Sequence, residues 1–284
     1  MSLSTLIDAQ TLARRIRAGD TLVVDCRFEL ADPKRAARDH AQGHIPGAVY
    51  ASLDADLSDL SKSPLLGRHP LPEASAFSAA LSRWGWTPQT PVVAYDAANG
   101  ALAAARLWWM LRLVGARDIA VLDGGIAAWT RAGFALDAGS VRREPTRVDA
   151  TFNAAQIVYT DALAAALQDP RTLLVDARAA QRYRGENETI DKAAGHVPGA
   201  VNRPFADNLD ASGCFKPAAQ LRTEFAALLA SHRPEDVIHM CGSGVTACHN
   251  LLAMEHAGLT GARIYAPSWS GWSADPARPV ATNT

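Results

Sequence analysis

The densest chemistry in this 284-residue chain lies in the run Cys241-Gly242-Ser243-Gly244-Val245-Thr246-Ala247-Cys248. It sits between an apolar strand pattern, Val237-Ile238, and a helical pattern carrying Leu251, Leu252 and Met254. Two glycines within three residues let the backbone curl tightly, including through positive φ. Successive N–H groups can then converge on an anion at the positive end of the following helix. A cysteine heading such a loop is placed to react as a thiolate. Cys241 is the expected nucleophile, with Gly242, Gly244, Val245 and Thr246 supplying amides, and Ser243 and Thr246 offering hydroxyls that also suit helix capping.

An isolated cysteine is ordinarily a small buried hydrophobe. That reading suits Cys26, Cys214 and Cys248, none of which has comparable surroundings. Cys248 lies two helical turns beyond Cys241, too far for a disulfide without rearrangement. His239, Cys241, Cys248 and His249 do not converge as a zinc set, and no metal is expected. A phosphatase would need a guanidinium six positions after the cysteine to clamp phosphate. Ala247 stands there, which disfavours phosphoryl transfer.

The elements that must position this loop occur twice. Leu22-Val23-Val24-Asp25-Cys26-Arg27 matches Leu173-Leu174-Val175-Asp176-Ala177-Arg178, and Gly43-His44-Ile45-Pro46-Gly47-Ala48-Val49 matches Gly195-His196-Val197-Pro198-Gly199-Ala200-Val201. Pro91 to Asp96 matches Asp236 to Cys241, with helical patterns following over 101–114 and 245–256. Leu122-Asp123-Gly124-Gly125 with Trp129 matches Tyr265-Ala266-Pro267-Ser268 with Trp272. Strands alternating with helices predict an α/β fold: two tandem domains, each a mainly parallel sheet flanked by helices, with ligands at the carboxyl ends of the strands. The expected division is 1–140, a polar linker over 141–155, and 156–284. Asp96 stands where the second half has Cys241, so the first domain is expected to be catalytically silent.

Composition sets the outer bounds. Lys and Arg number 28 against 29 Asp and Glu, a net charge of −1, which argues against a generic nucleic-acid binder. No apolar run approaches the roughly 20 residues of a membrane span, so no membrane partner is expected. The stretch from Met1 to Asp8 lacks a signal-peptide pattern, and four cysteines suit a reducing, cytoplasmic setting.

The two GH[IV]PGAV segments, the duplicated strands ending in Asp25 and Asp176, and the CGSGVTAC loop together resemble the two-domain rhodanese-like sulfurtransferases, over essentially the whole chain. Within that family the loop resembles the members that use 3-mercaptopyruvate. The resemblance implies a Cys241 persulfide, no organic or metal cofactor, a small-molecule sulfur donor, and a thiol, thioredoxin-like or cyanide acceptor. It implies that Ser243 works with the histidine of the first GHIPG segment, His44, and with an Asp, for which Asp32 and Asp39 are candidates. It also implies a carboxylate clamp of Arg182 and a second Arg nine residues later; that position is Asp191 here, and Arg184 is the candidate to compensate. Asp191 keeps thiosulfate open as the alternative donor. A non-catalytic rhodanese-like binding module is the alternative of a different class.

Overall fold

The computed structural model describes Leu3 and residues 5–282; Met1, Ser2 and Ser4 of the N-terminal stretch lie outside the described residues. In chain order the first half runs β1 (Leu6–Ile7), α1 (Ala9–Ala18), β2 (Leu22–Asp25), α2 (Arg35–Gln42), β3 (Val49–Tyr50), α3 (Ala74–Arg83), β4 (Val92–Tyr95), α4 (Ala104–Leu113), β5 (Ile119–Leu122) and α5 (Gly125–Arg131). The second runs β6 (Ile157–Val158), α6 (Thr160–Ala166), β7 (Leu173–Asp176), α7 (Ala180–Arg184), β8 (Val201–Asn202), α8 (Ala218–Leu229), β9 (Val237–Met240), α9 (Ala247–His256), β10 (Arg263–Tyr265) and α10 (Ser268–Trp272).

Each half builds one five-stranded parallel sheet, ordered β1-β5-β4-β2-β3 and β6-β10-β9-β7-β8. β2, β4, β5, β7 and β9 are buried at every residue, as parallel strands covered on both faces must be. In the second sheet β7 is flanked by β8 on one side and β9 on the other, so the strand order reverses there. Loops leaving the carboxyl ends of β7 and β9 open around that switch point, where α/β sheets bind ligands. No helix among the described residues is long and apolar enough to cross a membrane.

The chain folds as two compact units that do not follow its halves. The first comprises residues 1–59, 71–153 and 212–215; the second comprises 60–70, 154–211 and 216–284. Residues 141–153 carry neither helix nor strand, yet they are no loose tether. Ser78 and Ser82 of α3 bind them: Val148 N–H donates to Ser82 Oγ at 3.2 Å and Ala150 N–H to Ser78 Oγ at 3.0 Å. Within the first unit, Phe215 N–H donates to Asp123 at 2.8 Å, tying in the 212–215 excursion.

The duplicated landmarks serve the fold in both units. Arg27 and Arg178 each grip the carboxylate two residues earlier, Asp25 and Asp176, and each donates to the carbonyl of the following Gly-His motif, Gly43 at 2.7 Å and Gly195 at 2.8 Å. These carboxylates are buried, and pairing removes the cost of an isolated buried charge.

Candidate active site

Cys241 follows the last residue of β9 and is buried. Its loop behaves in part as the glycine spacing predicts. Gly244 takes φ +75°, the left-handed conformation that turns the chain into α9. Gly242 does not; its role is spatial. A Cβ there would lie 3.4 Å from Arg68 Nη2 and 3.6 Å from Arg182 Nη1. The expected helix over 245–256 begins at Ala247, leaving Gly242 to Thr246 ahead of the first turn, where amides have no partner within the helix.

α10 holds the loop from behind. Trp269 N–H donates to Cys241 O at 2.9 Å and Ser270 N–H to Gly242 O at 2.8 Å. Ser268, at the start of α10, sets a hydroxyl against the cysteine, a contact that no sequence motif signals. Its Oγ accepts from Cys241 N–H at 3.1 Å, donates to Tyr265 O at 3.0 Å, and lies 4.0 Å from Sγ. Ser268 does this at φ +53°, a strained setting for a residue with a side chain. Gly125 takes φ +56° at the matching position of the first unit.

The histidine that meets Ser243 is His69, not His44. His69 Nδ1 and Ser243 Oγ share a hydrogen bond of 2.9 Å, and both side chains are buried. His44 belongs to the first unit and is held inside it: Nδ1 donates to His40 O at 2.7 Å and its ring stacks on His40 at 4.2 Å. His196 repeats the arrangement with the Tyr183 carbonyl at 2.8 Å and the Tyr183 ring at 3.8 Å. A feature shared by both units secures the shared fold. Asp32 and Asp39 sit in exposed ion pairs with Arg38 and Arg35.

Arg182 reaches the loop and Arg184 is otherwise engaged. Arg182 forms a two-point ion pair with buried Glu188 (3.0 and 2.9 Å) and donates to Asp191 at 2.8 Å. Burial raises the Glu188 carboxyl, but the Asp191 and Ile190 amides and Arg182 outweigh it and leave its pKa below the ordinary value. Arg184 is held in a surface pair by Glu186. Asp191, the departure from the family clamp, also accepts from Arg68 Nη1 at 2.7 Å.

The other cysteines differ sharply. Burial, then the Asp25 carboxylate, push the Cys26 thiol well above its usual range. Cys248 S–H donates to Gly244 O at 3.4 Å, inside the loop's own turn. In the first unit, Asp96 fills the corresponding anion cradle from within. Its carboxylate accepts the amides of Ala98, Gly100, Leu102, Ala103 and Ala104 at 2.8–3.2 Å. Burial still leaves that carboxyl raised.

Comparison with known proteins identifies the family. The family model described as Rhodanese-like domain matches residues 8–132 and 159–275. The chain is 46% identical, over 99% of both chains, to a protein of Pseudomonas aeruginosa named "Probable 3-mercaptopyruvate sulfurtransferase". It is 31% identical to the "Thiosulfate sulfurtransferase" of Mus musculus, covering 94% of this chain and 91% of that one. The crystal structure of the Escherichia coli 3-mercaptopyruvate sulfotransferase SseA superposes with a TM-score of 0.79 at 30% identity, covering 94% of this chain and 99% of that one. Two matched segments, one in each half, and a 46% identical relative of the same length make the chain a member of the rhodanese-like family.

Proposed function

We propose that the protein is a sulfurtransferase that moves sulfur from 3-mercaptopyruvate, through a persulfide on Cys241, to a thiol, thioredoxin-like or cyanide acceptor. One observation carries the reading. A single loop gathers a cysteine at the carboxyl end of β9, a Ser243 hydroxyl paired with His69 at 2.9 Å, and the Arg182 guanidinium over Gly242.

The chemistry balances without a cofactor. The Cys241 thiolate attacks the donor sulfur; the S–S bond forms and the C–S bond breaks, its electron pair staying on carbon as the enolate of pyruvate. The donor's S–H proton, passed through Ser243 and His69 to that carbon, completes pyruvate. The persulfide anion is held by the amides of Gly242, Gly244, Val245 and Thr246, as an oxyanion hole holds its charge. An acceptor thiolate or cyanide then attacks the outer sulfur and releases the Cys241 thiolate. Arg182 anchors the donor carboxylate. His44 keeps a structural part in this scheme, and Arg184 has none. A reducing, cytoplasmic setting suits this cycle, which needs Cys241 as a thiolate rather than in a disulfide.

Thiosulfate is the second reading, favoured by Asp191 at the second clamp position. That donor releases sulfite as an anion and needs no proton. Steady-state kinetics with both donors decide between them. A kcat/KM for 3-mercaptopyruvate about tenfold or more above that for thiosulfate supports the first reading, and the reverse order replaces it.

A further inference from the structure

We propose that Arg68 is the second guanidinium that anchors the donor's carboxylate, supplied from a different segment of chain in place of the arginine absent at 191. The inference rests on the 3-mercaptopyruvate reading and deepens it.

Arg68 is brought to the second unit by backbone contact, starting from α10. Arg68 N–H donates to Ser270 Oγ at 2.9 Å, and the Ser270 amide itself holds Gly242 O. The approach is too close for side chains. A Cβ at Gly67 would lie 2.5 Å from Pro267 O, and one at Gly271 would lie 2.8 Å from Leu65 O. The segment before His69 is therefore pressed onto the same short helix that secures Cys241. Arg68 and His69, adjacent in sequence, arrive together.

Asp191 sets the spacing of the two guanidiniums. Its side chain is 3% exposed, and it gives one oxygen to Arg68 Nη1 and the other to Arg182 Nη2. Arg68 Nη2 and Arg182 Nη1, which Asp191 does not engage, lie 3.4 and 3.6 Å from where a Cβ at Gly242 would stand, with Arg182 Nη2 at 3.8 Å. Arg68 Nε is buried with no hydrogen-bond partner among the described residues. A buried donor left unpaired is costly unless a ligand completes it. Two forks with outward N–H groups beside the nucleophile's loop match a carboxylate, which accepts through both oxygens. Thus Asp191 does not abolish the clamp; it is the residue that positions a relocated one.

Pyruvate, which carries the carboxylate but no transferable sulfur, separates this claim from the sulfur chemistry. Its binding is titrated calorimetrically against the wild type, Arg68→Ala, Arg68→Lys and the double variant Arg68→Ala/Asp191→Arg, with KM and kcat for 3-mercaptopyruvate alongside. Arg68→Ala is expected to weaken pyruvate binding and raise KM about tenfold or more, with kcat changed less than about threefold. Arg68→Lys should fall between, because an ammonium keeps the charge and loses the fork. The double variant returns a guanidinium through position 191 and should recover most of the loss. Unchanged pyruvate affinity in Arg68→Ala, or no pyruvate binding by the wild type, overturns the assignment whatever the sulfur chemistry does. A wild type that binds pyruvate yet forms no persulfide from 3-mercaptopyruvate refutes the donor reading instead, and leaves Arg68 supported as a carboxylate anchor.

Discussion

His69 Nδ1 lies 2.9 Å from Ser243 Oγ, although 174 positions separate them in the chain. The pair joins the loop that carries Cys241 to a segment drawn from the first half of the sequence, and its proton matters for only one of the two donors. Ser243→Ala or His69→Ala should therefore lower kcat for 3-mercaptopyruvate about a hundredfold, the usual scale of general acid–base assistance. Turnover of thiosulfate, which needs no proton, should fall by less than about fivefold in the same variants. His44→Ala should reduce stability through lost packing on His40 without this donor-selective signature. Parallel losses for both donors in Ser243→Ala would refute the proton-transfer role.

Ser268 offers a test of strain against hydrogen bonding. Its hydroxyl accepts from Cys241 N–H, and its backbone sits at φ +53°. Ser268→Ala loses the bond and keeps the strain, whereas Ser268→Gly loses the bond and relieves it. Both should be less stable than the wild type, with the glycine variant ahead of the alanine variant by about 1 kcal/mol. Chemical unfolding measures the order, and an alanine variant more stable than the glycine one would contradict the strain account.

The self-filled cradle of the first unit should be expensive to empty. Asp96→Ala strands five amides that now share one carboxylate. Unfolding should become easier by at least about 3 kcal/mol, since each buried unpaired donor costs on the order of 1–3 kcal/mol. Asp96→Asn, which keeps one acceptor oxygen, should lose less. Equal stability of Asp96→Ala and the wild type in calorimetry would show that those amides find other partners.

Acid sensitivity should trace in part to His239. Its ring is fully buried on β9, with Nε2 3.0 Å from Met254 Sδ, and burial lowers its pKa to about 3. The unfolded chain binds a proton near pH 6.5 that the folded one refuses, so this residue's contribution to stability is lost as pH falls from that value toward 3. Between pH 7 and pH 5 the loss amounts to about 2 kcal/mol. His239→Leu should unfold in urea with a correspondingly smaller drop over the same interval, whatever its absolute stability. His40, also lowered by burial, acts equally in both proteins and cancels. An identical drop in the variant would contradict the assignment.

The parts of this molecule written in local pattern were readable from the chain. Short β-branched runs marked the buried strands, the paired motifs marked the duplication, and Cys-Gly-Ser-Gly marked the loop because its chemistry is contiguous. Arg68 and His69 left no such trace. They lie in a connection without a strand or α-helix, and contacts distant in sequence, Gly67 on Pro267, Gly271 on Leu65 and Arg68 N–H on Ser270 Oγ, carry them to the site. One signal was available: the connection from β3 to α3 spans 51–73, whereas its counterpart from β8 to α8 spans 203–217. A connection longer than its duplicate needs a reason beyond closing the fold. His44 drew notice through a motif that both halves share, yet that sharing is the mark of a structural role. Asp191 could be read only as a loss, because the residue that gives it meaning is distant in sequence.

The central claim is a persulfide on Cys241. Mass spectrometry of the intact protein after brief incubation with 3-mercaptopyruvate, without an acceptor, tests it most directly. The wild type should gain the mass of one sulfur atom, mapped by peptide digestion to Cys241 and removed by cyanide, and Cys241→Ser should gain none. An unchanged wild-type mass with both 3-mercaptopyruvate and thiosulfate, or an added sulfur that persists in Cys241→Ser, would contradict the account.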